Sequence, residues 1–438
     1  MKKVRKQVVI LGAGFGGLAC AKRLANTDCE VTIIDKNNHH LFQPLLYQVA
    51  TAGLSMPEIA KPIRSSLPKN ENIHVIMDEV SGINLHEKII LTPNRTVKYD
   101  YLVIGLGVVN DYFGHDEWAK HTVGLKSLEE ASKIRNSVLH AYERAELSDN
   151  PKEQQRLMTM VVIGGGPTGV EMAGALAELA HHVLPRDFKN INPKNSRIIL
   201  AEASDKILGQ FSEPLPCKAK DTLEKMGVEM MLSSPVKDIR HKRVEFDDVA
   251  IDAENIIWAA GVGAPAITRS LDVPVDRSGK ILVNPDCTLP DHPEVFAIGD
   301  IVKLTDPLNQ KVPGVSPAAI QMGNYVAKHI KNEIDSSTPM LDRKPFVYFD
   351  KGSMATIGRS AAVASIGKIN LSGFIAWTLW LFIHLVFLIG FRNKIAVLVQ
   401  WVYSYVNYKR GARIITNLKN PQQLVSEDKI KSKITVRH

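Results

Sequence analysis

Cysteine is scarce in this chain: four among 438 residues, at Cys20, Cys29, Cys217 and Cys287. No C-x-x-C pair occurs, which excludes a thioredoxin-like redox pair and a zinc ribbon on spacing, and no metal centre is expected. Nothing resembles a disulfide framework, so a reducing compartment fits. Glycine (29) and proline (23) are too few for a collagen-like or low-complexity chain. No short period recurs, which argues against a solenoid. Net charge is absent over most of the length: residues 1–391 hold 44 basic and 44 acidic side chains. The whole excess of +8 lies from Arg392 to His438, ten Lys/Arg against two Asp/Glu. Basic residues beside apolar ones suit an anionic membrane surface, and no nucleic-acid-binding motif accompanies them. With 45% hydrophobic and 23% charged residues the composition is that of a globular protein, long enough for roughly two to three domains.

The basic start, with Lys2, Lys3, Arg5 and Lys6, precedes the apolar run Val8–Leu11. That run is too short for a signal peptide and leads into glycines, so it reads as a buried parallel strand. Gly12-Ala13-Gly14-Phe15-Gly16-Gly17 follows, then a helix to about Ala25 and a strand over Val31–Ile34. Strand, glycine turn and helix together form the context that a dinucleotide fingerprint requires. Gly12 permits the tight turn, Gly14 lets the backbone approach a pyrophosphate, and Gly17 lets helix and strand pack closely. Asp35, 23 residues after Gly12, is placed to hold a ribose hydroxyl. A strand is expected over Val97–Gly107 and a helix over Leu128–Leu147.

The pattern restarts at Met160–Ile163, with Gly164, Gly166 and Gly169 as the second set of glycines. Glu202 lies 38 residues after Gly164, but His181–Ser196 reads as a 16-residue extension, and without it the spacing is 22. A carboxylate there repels a 2′-phosphate, which favours NADH over NADPH. Val244–Ala260 reads as a hairpin-like strand pair ending at Gly261. A later strand, Val295–Ile298, ends in Gly299-Asp300. That run looks like the late flavin fingerprint of two-dinucleotide-domain flavoproteins, in which the aspartate bonds the ribityl chain. FAD is therefore assigned to residues 1–114 with 289–345, NADH to the inserted residues 115–288, and residues 346–438 to a C-terminal region.

In that region Phe374–Phe391 is an 18-residue run interrupted only by Thr378 and His384. It stands at the lower edge of membrane-spanning length. His384 reads as a packing histidine. Arg392, Asn393 and Lys394 are expected to break the run, and a helical apolar stripe follows at 395, 398, 399, 402 and 406. Trp377, Trp380, Trp401, Tyr403, Tyr405 and Tyr408 supply rings suited to the headgroup level. Lys409, Arg410 and Arg413 are expected to meet anionic lipid. An interfacial placement is favoured over a span.

The stretches GAGFGGL, HLFQPLLYQVATAGL, GGGPTGVEMAGALAEL, IIWAAGV, VFAIGD, SPAAIQMG and DKGSMATIGRSAAVASIG together resemble the type II NADH:quinone oxidoreductases, also called alternative NADH dehydrogenases, from about Gln7 to Thr416. The resemblance implies an α/β fold of two Rossmann-like dinucleotide-binding domains in a glutathione-reductase-like arrangement, with a C-terminal membrane-associating helical region. It implies hydride transfer from NADH to FAD and two-electron transfer to a membrane quinone, with no proton pumped. It implies no iron–sulfur cluster, which the low cysteine count supports independently. It also implies a homodimer bound to one leaflet, on the cytoplasmic face of the cell membrane. Residue by residue, Glu171 resembles the family's acidic group near flavin and nicotinamide, and Gln321 the glutamine that bonds a quinone carbonyl. Where many members carry an earlier glutamine, this chain has Pro317. Phe15, Lys36, Gln43, Pro44 and Gly107 fall beside the flavin, and Lys351 toward the quinone. Gly105-Leu106-Gly107 stands where the family usually has Ala-Thr-Gly, so a hydroxyl contact is lost there.

Two other readings stay open on the sequence. A sulfide:quinone oxidoreductase shares the architecture but needs redox cysteines at the flavin, whereas Cys217 reads as part of a polar loop. A reductase for a soluble protein partner does not need the apolar tail.

Overall fold

The computed structural model describes residues 5–69, 71–336, 343–407 and 410–416. Lys2, Lys3, Tyr408, Lys409 and the tail beyond Thr416 lie outside these residues.

Along the chain, β1 (Lys6–Leu11), α1 (Phe15–Leu24), β2 (Cys29–Asp35), β3 (Ile73–Met77) and β4 (Tyr101–Ile104) come first. Next come β5 (Val123–Gly124), α2 (Leu128–Leu147), β6 (Thr159–Ile163), α3 (Pro167–Glu178), β7 (Arg197–Ala201), β8 (Val228–Met231) and β9 (Asn255–Trp258). Then follow β10 (Thr288–Leu289), β11 (His292–Ala297) and α4 (Ser316–Ser336). Last are β12 (Ser353–Thr356), β13 (Ala362–Ile366), β14 (Ile369–Ser372), α5 (Gly373–Phe387) and α6 (Phe391–Asn407).

Val8–Leu11 and the whole of β6 are buried, as expected of central parallel strands covered on both faces. The first sheet has the order β10-β11-β4-β1-β2-β3. β11 pairs in parallel with β4, so this sheet is completed only after the chain has built the second one, β5-β9-β6-β7-β8. α1 and α4 cross closely, because Gly323 and Gly16 face each other: a Cβ at Gly323 would lie 2.2 Å from the Gly16 carbonyl oxygen. That crossing carries the loop after β11 to the first glycine turn.

The local expectations need four corrections. Val97–Gly107 is not one strand: Arg95–Lys98 closes a small antiparallel sheet, and β4 begins only after Asp100 accepts the Gln7 amide at 2.7 Å. In Val244–Ala260 the hairpin is Arg243–Glu245 with Ala250–Asp252, while β9 joins the parallel sheet. Cys217 is exposed on a helix, Leu215–Lys225, rather than in a loop. The apolar tail breaks at Leu388–Gly390, where Gly390 takes φ +94°, and Arg392, Asn393 and Lys394 fall in the first turn of α6.

α5 has 15 residues, and no described helix is long and apolar enough to cross a membrane. Trp377, Trp380 and Trp401 are buried against the body of the protein instead of facing outward. Trp401 Nε1 donates to Gln48 Oε1 at 2.8 Å, which satisfies its buried N–H. The outward face is mainly aliphatic and phenyl, with Phe374, Ile375, Phe382, Phe391 (79% exposed), Ile395, Leu398, Val399 and Val402, and of the expected rings Tyr403 is exposed with them. The basic cluster also departs from expectation. Arg410 turns inward, donating to Thr51 O at 2.8 Å, Ala175 O at 3.2 Å and Glu178 Oε2 at 2.8 Å. Arg413 pairs with Asp187 in the extension before β7. Arg410 is thereby mostly buried, while Arg413 stays partly exposed beside its acidic partner.

Candidate active site

Each glycine turn is built by contacts that only glycine allows. Gly12 has φ +93°, and a Cβ at Gly17 would lie 1.9 Å from the Gly12 carbonyl oxygen. In the second unit Gly164 has φ +111°, and a Cβ at Gly169 would lie 1.8 Å from the Gly164 oxygen. The middle glycines differ: Gly14 and Gly166 each face open space, with nothing within 4 Å of an added Cβ. That space lies at the N-termini of α1 and α3, where unpaired amides and the helix dipole favour a phosphate. The acidic residues are tied in alike. Asp35 Oδ2 accepts the Ala13 amide at 2.7 Å, and Glu202 Oε2 accepts the Gly165 amide. His40, whose role the sequence did not signal, is buried with Nδ1 2.8 Å from Ala13 O, and burial pushes its pKa down to about 4.

A single cleft of about 1790 Å³ runs from the first turn to the C-terminal region. That exceeds the roughly 300–1,000 Å³ typical of a one-ligand pocket and leaves room for an extended dinucleotide with a second reactant. Gly12, Gly14, Phe15, Gly17, Asp35, Lys36, Gln43, Pro44, Gly107, Asp300, Glu171 and Lys351 all line it, as does Pro317. The open cradle at Gly14 and the acid at β2 fit an adenine dinucleotide. Of the second unit, Lys126 and Glu130 around the start of α2, Pro167, Thr168 and Glu171 of α3, Gln210 and Phe211 beyond β7, and Pro265 and Ile267 beyond β9 reach the cleft, while Gly164, Gly166, Gly169, Glu202 and Gly261 do not. Phe113 covers Gly261, its ring 2.5 Å from where a Cβ would sit. Gln321 does not line the cleft. Its amide is engaged at both ends by Phe349: Nε2 donates to the Phe349 carbonyl and Oε1 accepts the Phe349 amide, each at 3.0 Å.

Burial shifts titratable groups at two points of the cleft. Burial raises the pKa of Asp300, opposed by Lys126 and Lys280. Lys126, missed in the sequence, lines the cleft beside it, and burial lowers its pKa against the pull of Asp300 and Glu130. Farther along, burial pushes Glu171 up to about 8, opposed by the Thr356 amide and the Trp380 indole. The cleft ends among Met354, Ile383, His384, Phe387 and Ile389, where the Lys351 ammonium lies 5.4 Å from the Phe387 ring centroid. None of the four cysteines lines it. Among the described residues no group of His, Cys, Asp and Glu could hold a metal ion.

Residues 6–323 match the pyridine nucleotide-disulphide oxidoreductase family model, and residues 351–407 match the NDH2 C-terminal domain. The type II NADH:quinone oxidoreductase Ndh of Mycobacterium tuberculosis is 41% identical over 426 residues, 94% of this chain and 91% of its own. The chain belongs to the type II NADH:quinone oxidoreductase family. A probable NADH dehydrogenase of Dictyostelium discoideum is 30% identical over 92% of this chain and 90% of its own. The family's fold is also recovered in three dimensions. NDH2 from Plasmodium falciparum, solved with NADH, superposes at a TM-score of 0.86 with 19% identity, over 94% of this chain and 100% of that one. The sulfide:quinone oxidoreductase of Aquifex aeolicus is more distant in shape, at 0.67 with 20% identity over 92% of each chain.

Proposed function

We propose that this protein is an FAD-dependent NADH:quinone oxidoreductase that works at a membrane surface without moving protons across it. FAD, when bound, would supply a hydride acceptor for NADH and a two-electron donor for the quinone. Residues 1–114 with 289–345 hold FAD, through Gly12, Gly14, Phe15, Gly17, Asp35, Lys36, Gln43, Pro44, Gly107 and Asp300. Residues 115–288 hold NADH, through Gly164, Gly166, Gly169, Glu202 and Gly261. The observation that carries the reading is the single cleft that joins the open Gly14 cradle, the first turn of α3 and the apolar side chains of α5. Glu171, kept neutral near pH 7 by burial, can donate a hydrogen bond or a proton at the centre of the cleft. Lys351 offers a cation to a quinone oxygen. Gln321 serves by fixing the chain at Phe349, just before Lys351.

The outward apolar face of α5 and α6 is far larger than scattered surface hydrophobics require, and it supports peripheral binding to a bilayer. Attachment to the cytoplasmic face, as a homodimer, completes the proposal. The sulfide alternative is disfavoured because no cysteine lines the cleft. The test is to load the purified chain with FAD, add NADH or NADPH, and follow reduction of a quinone analogue in the presence of vesicles. NADH-dependent quinone reduction is expected. A colourless protein after FAD loading, or reduction driven better by sulfide, refutes the reading.

A further inference from the structure

His384 reads from the sequence as packing, yet its ring borders the cleft near the lipid-facing helices. Its Nδ1 lies 2.8 Å from the Trp380 carbonyl oxygen, four residues earlier on α5. A carbonyl only accepts, so Nδ1 carries the hydrogen. The Trp380 ring stacks on the imidazole with centroids 4.0 Å apart, and the Phe42 ring meets it edge-on at 6.2 Å. With Nδ1 engaged and one face covered, Nε2 is the polar atom left to the cleft. Among the described residues no carboxylate pairs with this ring. Burial pushes its pKa down to about 4, so it stays neutral near pH 7. A neutral imidazole with its hydrogen on Nδ1 has only a lone pair at Nε2, and can only accept there.

That one-sided chemistry discriminates between the two forms of the acceptor. A quinone ring offers carbonyl oxygens, which cannot donate; the hydroquinone offers hydroxyls, which can. The Lys351 ammonium, at the same end of the cleft, has donors only and suits the oxidised form. We propose that His384 Nε2 accepts a hydrogen bond from the hydroxyl that forms as the quinone is reduced, binding the transition state and the hydroquinone more tightly than the quinone. The overall reaction is NADH + H⁺ + quinone → NAD⁺ + hydroquinone, and no bond of His384 is made or broken in it. The inference rests on the quinone-reductase reading above.

The test uses the FAD-loaded full chain and its H384N, H384Q and H384F variants, with a soluble quinone analogue and its hydroquinone. H384N keeps an amide near the Trp380 carbonyl and deletes the Nε2 position. H384Q restores an acceptor at that reach, and H384F keeps a ring on Trp380. In H384N and H384F the inhibition constant of the hydroquinone should rise about tenfold, the worth of one hydrogen bond. Oxidation of the reduced enzyme by quinone should slow comparably, while flavin reduction by NADH and the flavin absorbance stay as in the wild type. H384Q should recover most of the loss. Unchanged hydroquinone inhibition in both H384N and H384F overturns the proposal, and so does an equal loss in the NADH half-reaction, which would mark a packing role. A wild-type chain that takes up FAD and NADH electrons but reduces no quinone would overturn the underlying reading instead, a visibly different result.

Discussion

Glu171 Oε1 accepts the Thr356 amide at 3.3 Å, which ties the helix of the second glycine turn to the C-terminal sheet. The Thr356 amide and the Trp380 indole together do not offset burial, and the carboxyl holds its proton up to about pH 8.

The pH consequences follow from the sign of that shift. An unfolded glutamic acid ionises near 4.5. Between that value and about 8 the folded chain binds the extra proton, so stability falls as pH rises through this window and levels off above it. Glu171→Gln should flatten the dependence of Tm on pH over the window, as measured by thermal melts from pH 5 to 9. In wild type, quinone reduction should fall as pH rises past about 8, and the variant should lose that limb.

Two glycines of the first turn should respond differently to alanine. At Gly17 the added Cβ meets the Gly12 carbonyl oxygen at 1.9 Å, so Gly17→Ala should lower Tm and FAD content together. At Gly14 nothing lies within 4 Å, so Gly14→Ala should fold normally while occupying space meant for phosphate. A rise in the FAD dissociation constant of about tenfold, about 1.4 kcal/mol, with an unchanged melt of the flavin-free protein, is the expected outcome.

Glu202 supports the second turn through the Gly165 amide and accepts from the Ser204 amide at 2.9 Å. Glu202→Ala should raise KM for NADH about tenfold and leave FAD content intact. Preference for NADH over NADPH should also shrink, because the charge that repels a 2′-phosphate is gone. Steady-state kinetics with both nucleotides reads this directly.

The tail separates stability from membrane binding. Arg410→Met leaves the half-buried Glu178 without its guanidinium partner and should cost about 2 kcal/mol in denaturant unfolding. It should not weaken binding to anionic vesicles, because Arg410 faces inward. Phe391→Asp with Val399→Asp should do the reverse, lowering vesicle partitioning at least tenfold with Tm nearly unchanged. A vesicle defect in the arginine variant at temperatures where it stays folded would refute the assignment.

Much of this was legible in the sequence wherever local chemistry decides the outcome. α2 runs over the expected Leu128–Leu147 because Ser127 caps it and Glu130 closes the capping box. The glycine turns likewise follow from spacing. What was not legible depends on distant partners. Arg410 and Glu178 are 232 positions apart, so composition alone could not show that the guanidinium turns inward. The tryptophans of α5 and α6 have an interfacial composition but serve as the seam against Gln48 and Tyr47. Lys126 belongs to no motif, and His40 only opens the stretch HLFQPLLYQVATAGL without a spacing that marks it; each enters the site through tertiary packing.

The matched ties of Asp35 to Ala13 and of Glu202 to Gly165 have one further consequence. Each acid grips the backbone of its own glycine turn in nearly the same way. Sorting a resident prosthetic group from a transient reductant must therefore occur at the opposite extremity. There Asp300 and Lys126 line the cleft, and α3 brings Pro167, Thr168 and Glu171 to it.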